Sequence, residues 1–236
     1  MGEPLVLIPG MMCDASVFHA QIRALAPDRT ITIALPTRGE RMEEIASELL
    51  SQLPAKFALV GLSMGGIVAM EILRRAPERV LRAAFVSCSP LADTPQQAAE
   101  REPTIVRARA GRLEEALREV MLPEYFAPGP GRIAAMNQFL EMGQALGATV
   151  FASQMRALQR RRDQQATLRK IRVPALVMCG DQDTLTPVKR HEFMAELIPN
   201  SRLAVVPDAG HLLPIERPDQ TTAQLQAWLK QPYVLQ

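Results

Sequence analysis

Six short apolar runs alternate with helix-patterned segments along this chain, and that alternation constrains the fold more than any other feature. The runs lie at residues 5–8, 30–35, 57–62, 83–88, 175–179 and 203–206. Each is too short for a helix and lacks the polar alternation of a half-solvated strand, so each reads as a strand buried on both faces. Between two of them, RMEEIASELLSQLP sets Met42, Ile45, Leu49 and Leu53 on one helical face, with Pro54 as the stop. A second helical pattern follows Ser63, and a third, DQTTAQLQAWLK, closes the chain with Leu225, Trp228 and Leu229 on its apolar side. Strands joined through helices run parallel with right-handed crossovers. The expected fold class is therefore α/β: a doubly wound, mostly parallel sheet with its sites at the carboxyl ends of the strands. The chain has 236 residues, 47% of them hydrophobic, enough to fill one substantial core.

The alternation stops between Cys88 and Ala175, where helix-like patterns cover residues 96–110, 113–121, 133–146 and 151–162. The reading is a helical cap inserted at residues 91–168, within a core formed by residues 1–90 and 169–236. Because it leaves the sheet at the carboxyl end of the fourth strand, the insertion is expected to lie over the site face as a lid. APGPG at 127–131 reads as a loop within it.

At residues 60–66, VGLSMGG joins the apolar run FALV to the helical run IVAMEIL. Gly61 and Gly65 remove the side chains that would clash across a sharp strand-to-helix turn. Such a turn lifts the Ser63 hydroxyl above the sheet and sets the Met64 N–H at the positive end of the next helix, where it can stabilise an oxyanion. The motif alone is weak, and the plainer reading is an exposed serine in a glycine-rich turn; the flanking strand and helix favour a nucleophile. Phosphate binding is disfavoured, since neither GxGxxG nor a P-loop lysine is present. A serine nucleophile needs a base. Of three histidines, His211 sits in PDAGHLLP, directly after the last strand, whereas His19 and His191 fall inside helical patterns and read as surface or packing residues. The imidazole needs a carboxylate to fix its tautomer, and DQDTLTP after the fifth strand offers both Asp181 and Asp183. That turn could also serve only to cap the helix beginning near Pro187. The chain order Ser, Asp, His favours the catalytic reading.

Four separated motifs resemble those of the α/β-hydrolase superfamily, in its serine esterase/lactonase-like branch, and together they span essentially the whole chain. LIPGMMCDASVF resembles the oxyanion loop, VGLSMGG the nucleophile elbow, VPALVMCGDQDTLTP the acid turn and DAGHLLPIERP the histidine loop. The resemblance implies Ser63 as nucleophile, His211 as base, Asp183 as acid, and the N–H groups of Met11 and Met64 as the oxyanion hole. Asp93, past the fourth strand, is the reserve acid, as some members of the fold place it there. Two departures are visible. Pro9 replaces the histidine of the family's common HG pair, and the usual N-terminal antiparallel strand pair is missing, which predicts six strands in the order 2-1-3-4-5-6. The implied activity is hydrolysis of a carboxylic ester or lactone through an acyl-enzyme, with no metal and no cofactor. The same constellation serves thioesterases, carbon–carbon bond hydrolases and perhydrolases, and the fold also hosts non-catalytic ligand-binding proteins.

The remaining features narrow the partner to a small-molecule ester substrate. With 27 basic and 25 acidic residues the net charge is only +2, which gives no reason to expect nucleic acid or an anionic membrane. RALQRRRDQQATLRKIR is basic but lacks interleaved aromatics, so it reads as a solvated helix face. No apolar stretch approaches the ~18 residues of a membrane helix. Glu3 stands where a signal peptide carries positive charge, and Val6 breaks the myristoylation pattern. Cys13, Cys88 and Cys179 have no metal-ligand spacing and read as buried apolar residues of a cytoplasmic protein. Met12, Tyr125, Phe126, Met136, Phe139 and Met142 are the candidate substrate-binding residues, and the insertion adds Met121, Phe151 and Met155; core packing is the alternative for each. The oligomeric state is left open.

Overall fold

The computed structural model describes residues 2–232. In chain order the core begins β1 (Leu5–Ile8), α1 (His19–Leu25), β2 (Ile31–Ile33), α2 (Met42–Leu50), β3 (Phe57–Leu62), α3 (Met64–Arg75) and β4 (Val80–Val86). Four helices follow, α4 (Pro95–Arg109), α5 (Leu113–Val120), α6 (Gly131–Gln159) and α7 (Gln165–Leu168). The chain then returns to the core through β5 (Ala175–Gly180), α8 (Val188–Leu197), β6 (Ser201–Val206), α9 (Leu213–Glu216) and α10 (Pro218–Leu229).

The six strands form one sheet in the order β2-β1-β3-β4-β5-β6, with every neighbouring pair parallel, as the alternation predicts. Successive residues of a strand point to opposite faces. Leu5, Leu7, Val60 and Leu62 therefore pack into one layer with Leu25, Leu225 and Trp228. Val6, Ile8, Leu59 and Phe85 enter the other layer with Ile45, Leu49, Val68 and Met194. The chain runs outward from β1 to the edge strand β2, then crosses back to β3 and continues to the far edge. The loops after β1 and β3 consequently diverge at a topological switch point, where doubly wound sheets hold their ligands.

The outer strands depart from the expected burial on both faces. All three residues of β2 are half-buried, and Val205 in β6 is exposed, because an edge strand has a neighbour on one side only. The fourth strand lies earlier than residues 83–88, since Ser87 turns into the left-handed region at φ 46° and takes the chain out of the sheet. α2 ends before Pro54, and the guanidinium of Arg79 donates to the carbonyls of Leu50, Leu53 and Pro54 just past the helix.

Between β4 and β5 the described residues form helices and loops with no strand. Gly147, at φ 83° and ψ 167°, breaks α6 between the two helical patterns read from the sequence. The basic stretch at 156–172 is not a solvated face throughout. Arg156 and Arg160 pair with Glu40 and Arg162 with Glu43 in the segment before β3, while Arg161 pairs with Asp93 just after β4, so this end of α6 and the turn after it are held by ions. Gln154 adds a buried tie, accepting from the Met12 N–H at 2.9 Å and donating to the Pro36 carbonyl at 3.0 Å. No helix among the described residues is long and apolar enough to cross a membrane.

The turn from β3 into α3 is tighter than side chains permit. A methyl group at Gly61 would overlap the carbonyl of Gly65, and one at Gly65 would overlap the carbonyl oxygens of Ile8 and Pro9. Gly65→Ala must therefore push α3 away from β1, at a cost of roughly 3 kcal/mol or more. Thermal unfolding followed by circular dichroism is expected to show a Tm lowered by about 10 °C or no soluble protein. Gly131→Ala, where no atom lies within 4 Å of the added methyl, is the control and is expected to stay within a few degrees of the parent. An unchanged Tm for Gly65→Ala would refute this account of the turn.

Candidate active site

The strand–helix turn holds Ser63 at φ 53° and ψ −117°, a conformation that a non-glycine residue adopts only where surrounding structure imposes it. Its N–H donates to the Val86 carbonyl at 2.8 Å, and its carbonyl accepts from the Gly66 N–H at 2.9 Å. Locked in this way, the side chain projects from the sheet edge, and Ser63 Oγ lies 2.8 Å from His211 Nε2.

His211 is fully buried in the loop after β6. Glycines allow that loop to approach its neighbours: a methyl at Gly180 would overlap the Ala209 carbonyl, and one at Gly210 the Tyr125 carbonyl. The His211 N–H donates to the same Tyr125 carbonyl at 2.7 Å. Glu216 closes the loop from the other side. Its carboxylate accepts from the N–H groups of Gly210 at 3.0 Å, Leu212 at 2.9 Å and Ala127 at 2.7 Å.

The other ring nitrogen, Nδ1, lies 2.9 Å from Asp183 Oδ2. Asp183 also orders its own turn, since Oδ1 accepts from the N–H groups of Leu185 and Thr186 and Oδ2 from the Thr186 hydroxyl at 2.6 Å. Burial pushes this carboxyl up, but His211 and the bonds from Thr186 outweigh it and hold the group below the ordinary carboxylate range. An ionised carboxylate only accepts, so Nδ1 carries the proton and Nε2 is left to accept from the Ser63 hydroxyl. Asp181, by contrast, is exposed at the start of the turn, and the capping bonds belong to Asp183. Asp93 is held by Arg101 at 2.6 Å and Arg161 at 2.8 Å.

A cavity of about 420 Å³ opens onto Ser63 and His211 and is also lined by Met11 and Met64. Met64 is the first residue of α3, where N–H groups have no intrahelical acceptor. The Met11 N–H forms no hydrogen bond among the described residues. Of the six residues read as substrate-binding, Phe139 lines this cavity. Phe126 and Met136 line a second cavity of about 110 Å³ together with Phe139. Met12, Tyr125 and Met142 line neither: Met12 turns inward at φ 54° and packs with Met142 in the core, while Tyr125 contributes its carbonyl to His211. The cavity also contains Arg101, Arg161 and Arg190, which the sequence does not single out because they stand far apart along the chain. Cys13 and Cys88 line it too, but burial pushes both thiols up, away from the reactive thiolate. Among the described residues no group of three or more His, Cys, Asp or Glu side chains is placed to hold a metal ion.

A sequence model of the alpha/beta hydrolase family matches residues 5–225. The chain belongs to that family. It is 29% identical to a pimeloyl-(acyl-carrier protein) methyl ester esterase of Aromatoleum aromaticum over 93% of this chain and 95% of the relative. Identity to the enzyme of the same name from Nitrosomonas europaea is 24%, over 93% and 92% of the two chains. In fold it is similar to a thermophilic esterase from Thermogutta terrifontis, with a TM-score of 0.89 at 24% identity, covering 99% of this chain and 92% of that one.

One buried histidine near the site gives this α/β hydrolase a pH-sensitive feature. His191 in α8 is fully buried, its Nε2 accepts from the Cys88 N–H at 3.1 Å, and its Nδ1 lies 3.3 Å from the Pro187 carbonyl. Burial pushes its pKa down to about 4, against the opposing pull of Asp183 and of the Pro187 carbonyl. A folded value below the unfolded one of about 6.5 contributes stability that is present above pH 6.5 and lost as the pH falls toward 4, up to roughly 3 kcal/mol. His191→Gln is expected to lower the Tm at pH 7 but to flatten its decline between pH 6.5 and 4. Parallel Tm curves for the two proteins would exclude His191 as the source of that decline.

Proposed function

We propose that this chain hydrolyses carboxylic esters, open or cyclic, through an acyl-enzyme on Ser63. The observation that carries the proposal is the continuous chain from Ser63 Oγ to His211 Nε2 at 2.8 Å and from His211 Nδ1 to Asp183 Oδ2 at 2.9 Å, opening onto a cavity. The family's esterase relatives support the reaction class, and the methyl ester in their names makes a small alkoxy leaving group the first choice. The helices from α4 to α6 act as the lid, excluding water and shaping the acyl site.

In this mechanism His211 Nε2 takes the Ser63 proton as Oγ attacks the ester carbonyl carbon, and the carbonyl π pair moves onto oxygen. The N–H groups of Met11 and Met64 hold that oxyanion, while Asp183 stabilises the imidazolium. Collapse breaks the bond to the alkoxy oxygen, which takes the proton from His211 and leaves as the alcohol; a lactone keeps it tethered. Water then attacks the acyl-enzyme, giving a proton to His211, and the acid departs as Ser63 regains its hydrogen. The three buried, unpaired cysteines are compatible with a reducing cytoplasm, where we place the activity.

Fluorophosphonate labelling tests the nucleophile. Ser63→Ala is expected to abolish both labelling and turnover of methyl and p-nitrophenyl esters while the circular dichroism spectrum is retained, and labelling that persists at another serine would refute the assignment. The acid is tested by comparing aspartates. Asp183→Asn is expected to lose roughly 10⁴-fold in kcat, because the amide imposes the wrong tautomer on His211. Asp181→Asn, at an exposed position, is expected to lose no more than about tenfold. If Asp183→Asn keeps near-native kcat while Asp181→Asn or Asp93→Asn collapses, the acid is the residue that collapses.

A further inference from the structure

The cavity next to Ser63 is lined by three guanidinium groups, Arg101, Arg161 and Arg190, and by one carboxylate, Asp93. Three positive charges against one negative leave the lining at +2 with His211 neutral. Asp93 is nearly buried and fixes two of the three, accepting from Arg101 Nε and pairing with Arg161 Nη2 at 2.8 Å. Arg190 forms no ion pair among the described residues. Within two of the lining residues, Arg161 Nε and Ser87 Oγ are buried out of reach of solvent with no hydrogen-bond partner. Burial lowers the Arg161 pKa, Asp93 opposes that, and Arg101 and Arg190 crowd it with like charge. Apolar side chains, Ile67, Val120, Met121 and Phe139, supply much of the remaining wall and limit solvation of any charge brought in.

We infer that the cavity takes esters whose acyl or alcohol portion carries an anionic group, a carboxylate or a phosphate, held by Arg161 and Arg190 with Arg101 in support while Ser63 attacks the ester carbonyl. This rests on the reading of Ser63 as the nucleophile. Asp93 acts as the fixed counter-charge that orients two of the guanidinium groups. A guanidinium fork matches either oxyanion through paired N–H donors, and a substrate cation in the same place meets an excess of like charge.

The test compares monomethyl dicarboxylates from succinate to sebacate, methyl ω-phosphooxyalkanoates, and the neutral dimethyl esters of the same dicarboxylates. One anionic series is expected to exceed its neutral counterparts by roughly tenfold to a hundredfold in kcat/KM, and which series it is identifies the oxyanion. That ratio is expected to fall by about tenfold or more in Arg190→Gln, and by less in Arg190→Lys, which keeps the charge but not the fork. Arg161→Gln leaves Asp93 short of a partner and can fail to fold; Arg190→Gln leaves no stranded ion and carries the test. Neutral esters used as readily as anionic ones, or a preference untouched by Arg190→Gln and Arg161→Gln, overturns the inference and leaves the hydrolase reading standing. If no ester of any kind is turned over, the hydrolase reading falls. Calorimetric titration with adipate and with inorganic phosphate then decides the site: saturable binding weakened in Arg190→Gln supports it, and no binding overturns it.

Discussion

The amino end of α3 lies closer to the ends of β1 and β3 than any side chain would permit, and the rest of the site depends on that contact. Gly65 meets the carbonyls of Ile8 and Pro9, and Gly61 meets the backbone of Gly65. Only with both side chains absent can the chain reverse within Ser63, which therefore carries the left-handed strain itself. The same contact brings the loop after β1 alongside, so that Met11 and Met64 line one cavity with Ser63. The position of the hydroxyl is thus a property of the backbone, supported by packed core on both faces of the sheet.

The polar chain leading away from Ser63 is stable because every buried group in it has a partner. An isolated carboxylate at the depth of Asp183 would take up a proton, since burial alone disfavours its charge. Two backbone N–H groups, the Thr186 hydroxyl and His211 together reverse that outcome. The turn that positions the carboxylate is therefore also what keeps it ionised, and an ionised Asp183 determines which nitrogen of His211 faces Ser63.

The parts of this arrangement visible in the sequence are those set by local chemistry and period. The central strands are continuous apolar runs because helices cover them on both faces. Ser63 follows such a run directly and His211 lies in the loop after the last strand, which places both at the carboxyl edge before any coordinate is known. The choice between Asp181 and Asp183 is not local: both follow the same strand, the likeness of the acid turn to the family's points to Asp183, and the fold separates the exposed carboxylate from the one beside His211. Met12 reads as a pocket residue by its position after the first strand, yet a positive φ and the Gln154 side chain turn it into the core. Arg101, Arg190 and Glu216 carry no sequence signal and Arg161 stands in a stretch that reads as a solvated face, because only the fold shows what these side chains meet. Strand ends were least legible at β2 and β4, where an open edge and the turn at Ser87 end the pairing.

Glu216 has a mechanical consequence for how a substrate can enter. Its carboxylate holds the two residues flanking His211 and, with the same oxygen that binds Gly210, the N–H of Ala127 in the inserted segment. The Tyr125 carbonyl grips His211 as well. The imidazole and this part of the chain are thus tied together, and swinging residues 125–127 outward would draw the imidazole away from Ser63. An entrance that preserves the contact between His211 and Ser63 has to form away from residues 125–127. The fold thereby ties this part of the chain to the position of His211, and leaves any opening of the cavity to other parts of its lining.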